Sequence, residues 1–137
     1  YIYTTALPPA LAQALQSSLD LIEGPEGAAR RQQLQALIGR WRAGVQPLLA
    51  AAKGEQGGLH LPDSHTPIQP LIVGDNARTL ALDAALQARG LRVPAIRPPT
   101  VPVGSARLRL TFSASHTQAD LERLLAALAE SLQELNS

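Results

Sequence analysis

The chain has 137 residues, 45% of them apolar and 17% charged, with a formal net charge of +1. That is one domain's worth of material with enough apolar surface for a core, which excludes a disordered tail and the basic footprint of a dedicated nucleic-acid binder. No apolar stretch reaches the length of a membrane span, and the absence of cysteine excludes disulfides, thiolate nucleophiles and cysteine-ligated zinc.

Nothing at the start reads as a signal peptide, so a cytoplasmic location is expected. Methionine is absent and lysine occurs once, as Lys53. A chain that opens on Tyr1-Ile2-Tyr3 inside an apolar run reads as a piece of something longer. Residues 1–7, β-branched and aromatic, predict a short strand or extended segment. Pro8 and Pro9 suit the first turn of a helix, where a missing N–H costs nothing. Leu11, Leu15, Leu19 and Ile22 then recur at helical spacing as far as Gly24-Pro25, which stops the run. A second helix is predicted over about 26–45, with a stripe of Leu34, Leu37, Ile38, Trp41 and Val45.

Residues 50–66 read as a loop, from Gly54, Gly57, Gly58, Pro62 and small polar side chains. Ile68 to Val73 is strand-like and ends at Gly74-Asp75-Asn76; Asp75 or Asn76 caps a helix to about Arg89, with Gly90 just beyond it. Leu91 to Ile96 predicts a second strand, halted by Pro98-Pro99. Arg107 to Phe112 alternates strictly, with Leu108, Leu110 and Phe112 on one face. Thr117 followed by Asp120 has capping-box spacing for a last helix carrying Leu121, Leu124, Leu125, Leu128, Leu132 and Leu135. The expected fold is α+β: long connecting helices, then a small antiparallel β-α-β-β-α sheet with its third strand in the middle and its helices on one face.

The polar residues leave several readings open. His60, His65 and His116 share no metal-ligand spacing, so solvated or capping roles are expected and no metal. Asp63-Ser64-His65 names the residue types of a hydrolase triad, but sequential neighbours do not build that geometry by adjacency. The glycines at 54, 57 and 58 do not follow a phosphate-loop pattern. Arg107 and Arg109 point away from the apolar face of their strand, either as a solvated surface or as a bidentate clamp for a substrate carboxylate. Arg97 and Thr100 flank a stiff diproline turn that is either a plain strand stop or a rigid anion-binding loop. Thr4-Thr5 is either a strand end feeding a helix or a phosphate site near a helix N-terminus.

Taken together, Tyr1 to Pro9, Ile68 to Asn76, Ala95 to Pro102 and Ala106 to Thr111, in that order, resemble the α-oxoamine synthases across essentially the whole chain, with residues 50–64 least typical. The resemblance implies a pyridoxal 5'-phosphate (PLP) enzyme of fold type I, active as a homodimer, with a large catalytic domain upstream of this segment. It implies that residues 1–25 belong to the large-domain or dimer side, 26–49 to a connecting helix and 50–137 to a C-terminal small domain. It matches Thr4 and Thr5 to the hydroxyl pair at the cofactor phosphate of the neighbouring subunit, Arg109 to the grip on the amino-acid carboxylate and Thr100 to a substrate contact. Arg97 would stand at the mouth, near substrate or product carboxylate. The Arg97-Pro98-Pro99-Thr100 turn points to the branch that condenses L-alanine with a pimeloyl thioester, on CoA or a carrier protein. The alternatives are a sister synthase, of glycine C-acetyltransferase or 5-aminolevulinate synthase type, or a non-catalytic α+β binding or assembly module with exposed apolar helix faces. On the family pattern Lys53 is not the Schiff-base lysine, so the segment alone is expected to be inactive, with neither nucleic acid nor membrane as partner.

Overall fold

A computed structural model of the chain describes residues 6–52 and 58–136. Its elements run α1 (Pro9–Glu23), α2 (Pro25–Ala51), β1 (Ile68–Gly74), α3 (Asn76–Ala88), β2 (Ala95–Ile96), β3 (Ala106–Thr111) and α4 (Gln118–Leu135). The chain divides into two compact units, one ending at Gln33 and the other starting at Leu34.

In the first unit, Pro9 opens α1 as its spacing required, and Gly24 separates α1 from α2. Gly27 permits the close turn between them: a Cβ there would meet the Ile22 carbonyl oxygen at 2.2 Å. Leu11, Leu15, Leu19 and Ile22 are 47%, 49%, 51% and 56% exposed, so the apolar stripe of α1 is bare in this chain. The expected strand over residues 1–7 lies mostly outside the described residues, and Ala6–Pro8 belongs to no strand.

The second unit is built on a three-stranded antiparallel sheet in the order β1-β3-β2, with β3 central as expected. Leu71, Val73, Leu108, Leu110 and Phe112 pack from the sheet against Trp41 and Val45 of α2, Leu82 and Leu86 of α3, and Leu121 and Leu128 of α4. The Trp41 and Phe112 rings lie 5.8 Å apart in a tilted pair at the middle of this core. The helices therefore cover one face, and the α+β architecture is the one the pattern predicts.

Two boundaries move. Helix α2 runs six residues past the expected stop at Val45, through Pro47 to Ala51. Proline there removes one helical N–H, but Leu49 and Ala52 are buried beyond it, and that burial keeps the chain helical. Strand β2 is only Ala95–Ile96, because Leu91–Pro94 forms no regular ladder. Pro94 has no N–H to give, and its carbonyl takes the Arg109 N–H at 3.0 Å as the last sheet-like bond.

The helix ends follow local chemistry. Asp75 caps α3 by accepting the Arg78 N–H at 2.7 Å. Gly90, at φ +75°, turns the chain out of α3 in a conformation that disfavours any side chain. At α4 the capping box is complete: the Thr117 hydroxyl accepts the Asp120 N–H at 3.2 Å, and the Asp120 carboxylate accepts the Thr117 N–H at 2.8 Å. The Thr117 N–H first, and second the Thr117 hydroxyl, which donates to the same carboxylate at 2.8 Å, hold the Asp120 carboxyl below its ordinary pKa. Arg89 closes the other end by pairing with Glu134 and Glu130 of α4.

Among the described residues three polar side chains, Gln69, Thr79 and Ser131, sit wholly inside, and Gln69 has the most partners. The Gln69 amide accepts from Arg42 Nη1 at 2.9 Å and donates to the Ser64 and Thr66 carbonyls at 2.9 and 2.8 Å. It fixes the loop before β1 to the sheet and to α2. Gln69→Ala is therefore expected to destabilise the fold by about 2–4 kcal/mol in chemical denaturation, since it orphans three partners at once. Thr117→Ala is expected to cost about 1 kcal/mol near neutral pH. The depressed Asp120 pKa makes its contribution present above about pH 4 and lost as the pH falls through the lower folded value, so the Thr117→Ala deficit should shrink in acid.

Candidate functional site

Strand β3 turns its apolar residues to the helices and its polar ones to the open face. Ala106, Leu108 and Leu110 are buried, Arg107 is half-buried, and Arg109 and Thr111 are exposed. Residues paired directly across strands share a face. The register therefore lays Ile72, Arg107 and Ile96 in one row across three strands, with Pro70 beside Arg109 in the next. His60 lengthens the first row. Its N–H donates to the Ile72 carbonyl at 3.2 Å and its carbonyl accepts the Ile72 N–H at 2.9 Å, a single bridge on the outer edge of β1.

The β2–β3 connection is stiff. The Thr100 N–H donates to the Arg97 carbonyl at 3.0 Å around a cis Pro98-Pro99 peptide. At its far end the Ser105 hydroxyl donates to the Pro102 carbonyl at 2.6 Å, and Arg107 Nε donates to the Ser105 carbonyl at 2.9 Å. Arg97 and Thr100 are both exposed on this connection.

The fold thus brings Arg107 and Arg109 onto one face and sets Arg97 and Thr100 at the end of that sheet nearest Arg107. Thr4 and Thr5, the residues read for a cofactor phosphate, lie outside the described residues. None of Arg97, Arg107 and Arg109 has a carboxylate partner among the described residues; the ion pairs lie elsewhere, as at Arg89. The Cα positions of Arg107 and Arg109, at alternate residues of one strand, are about 7 Å apart. Two outward cations so placed, without an acid among the described residues, offer a surface that can receive carboxylates.

The other polar candidates resolve to local structure. The Ser64 hydroxyl donates to the Ile68 carbonyl at 2.8 Å, while Asp63 and His65 meet at 3.6 Å in the open, so the three make no catalytic relay. His116 accepts the Ser113 N–H at Nδ1, 3.2 Å away, and stands edge-on to Phe112. Among the described residues no group of three or more acidic or histidine side chains could hold a metal. A cavity of about 190 Å³ opens on the helix side of the sheet, lined by Leu37, Val93, Leu110, Phe112, His116 and Leu124. It shares no arginine of the β3 face. The row from His60 to Ile96 had no sequence signal, because a single bridge from an irregular segment leaves no periodicity to read.

A family model described as aminotransferase class I and II matches residues 1–128. The 8-amino-7-oxononanoate synthase of Leptothrix cholodnii is 62% identical over 135 residues, which are 98% of this chain and 33% of that protein. The enzyme of the same name from Cupriavidus pinatubonensis is 60% identical over 132 residues, 96% of this chain and 31% of that protein. Among solved structures, the serine palmitoyltransferase of Sphingomonas wittichii is similar with a TM-score of 0.74 at 26% identity, over 98% of this chain and 31% of that one. The 8-amino-7-oxononanoate synthase of Francisella tularensis matches with a TM-score of 0.71 at 23% identity, over 98% of this chain and 36% of that one. A lysine-to-alanine variant of a serine palmitoyltransferase from S. paucimobilis with a bound PLP–myriocin aldimine matches with a TM-score of 0.74 at 23% identity, over 98% and 31% of the two chains. The chain spans about a third of the length of the curated relatives it matches.

If the β3 arginines serve a ligand rather than the fold, their removal should leave stability nearly untouched. Arg109→Gln is expected to unfold within about 0.5 kcal/mol of the unchanged protein. Leu108→Ala, between the two arginines but facing the core, is expected to lose about 2–5 kcal/mol in the same denaturant titration.

Proposed function

This chain belongs to the aminotransferase class I and II family, and we propose that it serves in a PLP-dependent acyltransferase that joins L-alanine to a pimeloyl thioester. One alanine and one thioester give one 8-amino-7-oxononanoate, one carbon dioxide and one free thiol, carried by CoA or a carrier protein. The reading rests on the identity to synthases of that name over nearly the whole chain, and on Arg109, which stands on the open face of a central strand without a carboxylate partner among the described residues.

In this reading Arg109 receives the alanine carboxylate through two parallel N–H bonds, the geometry a planar guanidinium provides and an ammonium does not. Thr100 offers its hydroxyl to the substrate from a turn whose backbone is already closed, so little entropy is lost on binding. Arg97 stands at the mouth, near the carboxylate of substrate or product. Bound PLP supplies the electron sink at the amino-acid α-carbon. The described residues include guanidiniums and hydroxyls on the β3 side and no lysine, which fits the substrate carboxylates rather than the ring. Thr4 and Thr5 are assigned to the cofactor phosphate of the neighbouring subunit in a homodimer. Residues 1–25 serve the large-domain side, 26–49 the connection and 50–137 the small domain, and the segment alone is inactive. The protein works in the cytoplasm; among the described residues no helix is long and apolar enough to cross a membrane.

The test is product formation from alanine and pimeloyl-CoA by the full-length protein, followed by mass spectrometry. Arg109→Ala is expected to raise the KM for alanine about 10- to 100-fold, the worth of one charge-assisted pair. Alanine saturation unchanged by that substitution would remove Arg109 from the clamp.

A further inference from the structure

Arg107 is left over by this assignment. A fork-to-fork pair occupies one guanidinium per carboxylate, so the alanine carboxylate on Arg109 leaves its neighbour unmatched. Arg107 also differs from Arg109 and Arg97 in three ways. It is half-buried where they are exposed. Its Nε is engaged by the Ser105 carbonyl at 2.9 Å, which orients the head and leaves both terminal nitrogens without a partner among the described residues. Its cross-strand neighbours are Ile72 on β1 and Ile96 on β2, so apolar side chains flank it on both sides. Arg109 instead has Pro70 across from it on β1 and donates its N–H to the carbonyl of Pro94, just before β2. An oriented cation between two isoleucines suits an aliphatic chain that ends in a carboxylate. Ile72 is buried and shields the cation from water, the half-buried Ile96 is free to meet the methylenes, and the head meets a charge that water screens less than at an exposed arginine.

We propose that Arg107 receives the distal carboxylate of the acyl donor, with the half-buried Ile96 as the wall for its methylene chain. The inference rests on the condensation reading above and extends it to the residue that selects the acyl substrate. Arg97, exposed on the turn, contributes at the mouth and not at this contact.

The test uses the full-length holoenzyme and two acyl donors alike in chain length, pimeloyl-CoA and heptanoyl-CoA, of which only the first has a distal carboxylate. The unchanged enzyme is expected to prefer pimeloyl-CoA in kcat/KM. Arg107→Gln should lower kcat/KM for pimeloyl-CoA at least about 10-fold, leaving heptanoyl-CoA and the KM for alanine as they were. Arg107→Lys should restore part of the preference. If Gln and Lys lower both donors equally, Arg107 acts only by positioning the 97–105 connection through Ser105, and the proposal is overturned. A shift in the alanine KM instead would place the residue in the amino-acid clamp and overturn it as well. Equilibrium binding of free heptanoate and of its neutral amide, heptanamide, gives a reading independent of turnover. A preference for heptanoate that Arg107→Gln abolishes supports the site even if no thioester is turned over, in which case the reaction assignment alone has failed. No preference in the unchanged protein, or one that Arg107→Gln leaves intact, defeats the site.

Discussion

The central position of β3 is the constraint from which the rest follows. With β1 on one edge and β2 on the other, its backbone groups are committed to ladders and its side chains have only two faces to choose between. A slip of one residue would carry Arg107 and Arg109 into the helix-covered core and expel Leu108 and Leu110. Unpaired guanidiniums in that core would cost several kcal/mol each, so the register is locked by the burial of its apolar partners. The same locking presents the two arginines outward at fixed spacing. Core and candidate site are opposite sides of one strand.

A small sheet of this kind is stiffened by its connections more than by its length. Gln69 ties the segment before β1 to the sheet through two carbonyls and to α2 through Arg42. Between β2 and β3, the Thr100–Arg97 bond and the Ser105–Pro102 pair close the chain on itself at both ends of the turn. The bonds of the turn come from backbone or a short side chain with few rotamers to lose, so their ordering costs little. Residues carried on such segments reach a ligand already placed, which is where binding energy is otherwise dissipated.

What the sequence made legible was whatever had a local cause. Strict alternation marked β3 and its inner face; Thr117 with Asp120 marked the start of α4; Asp75 and Gly90 marked both ends of α3. Arg109 and Arg107 were placed on the outer face by the same alternation. The failures had non-local causes. The helix expected to end at about Val45 goes on through Pro47 because Leu49 and Ala52 find burial in tertiary structure the sequence does not announce. Leu91 to Ile96 has strand composition, but β2 is confined to Ala95–Ile96. The separation of Arg107 from Arg109 was also hidden, because it depends on which residues of two other strands lie beside each.

That last dependence decides how the site is to be understood. Two identical side chains on one strand acquire different chemistry from their neighbours: Arg107 is flanked by isoleucines and oriented by a carbonyl, whereas Arg109 is open to solvent beside a proline. The strength of an ion pair rises as water is excluded from it, so the same guanidinium is a selective contact in one setting and an accessible clamp in the other. Register therefore does more than hold the sheet together. A shift of β1 by two residues against β3 would keep the inner side chains on the inner face and yet give Arg107 a new flank. The specificity of this face is a property of the pairing, and no list of its residues contains it.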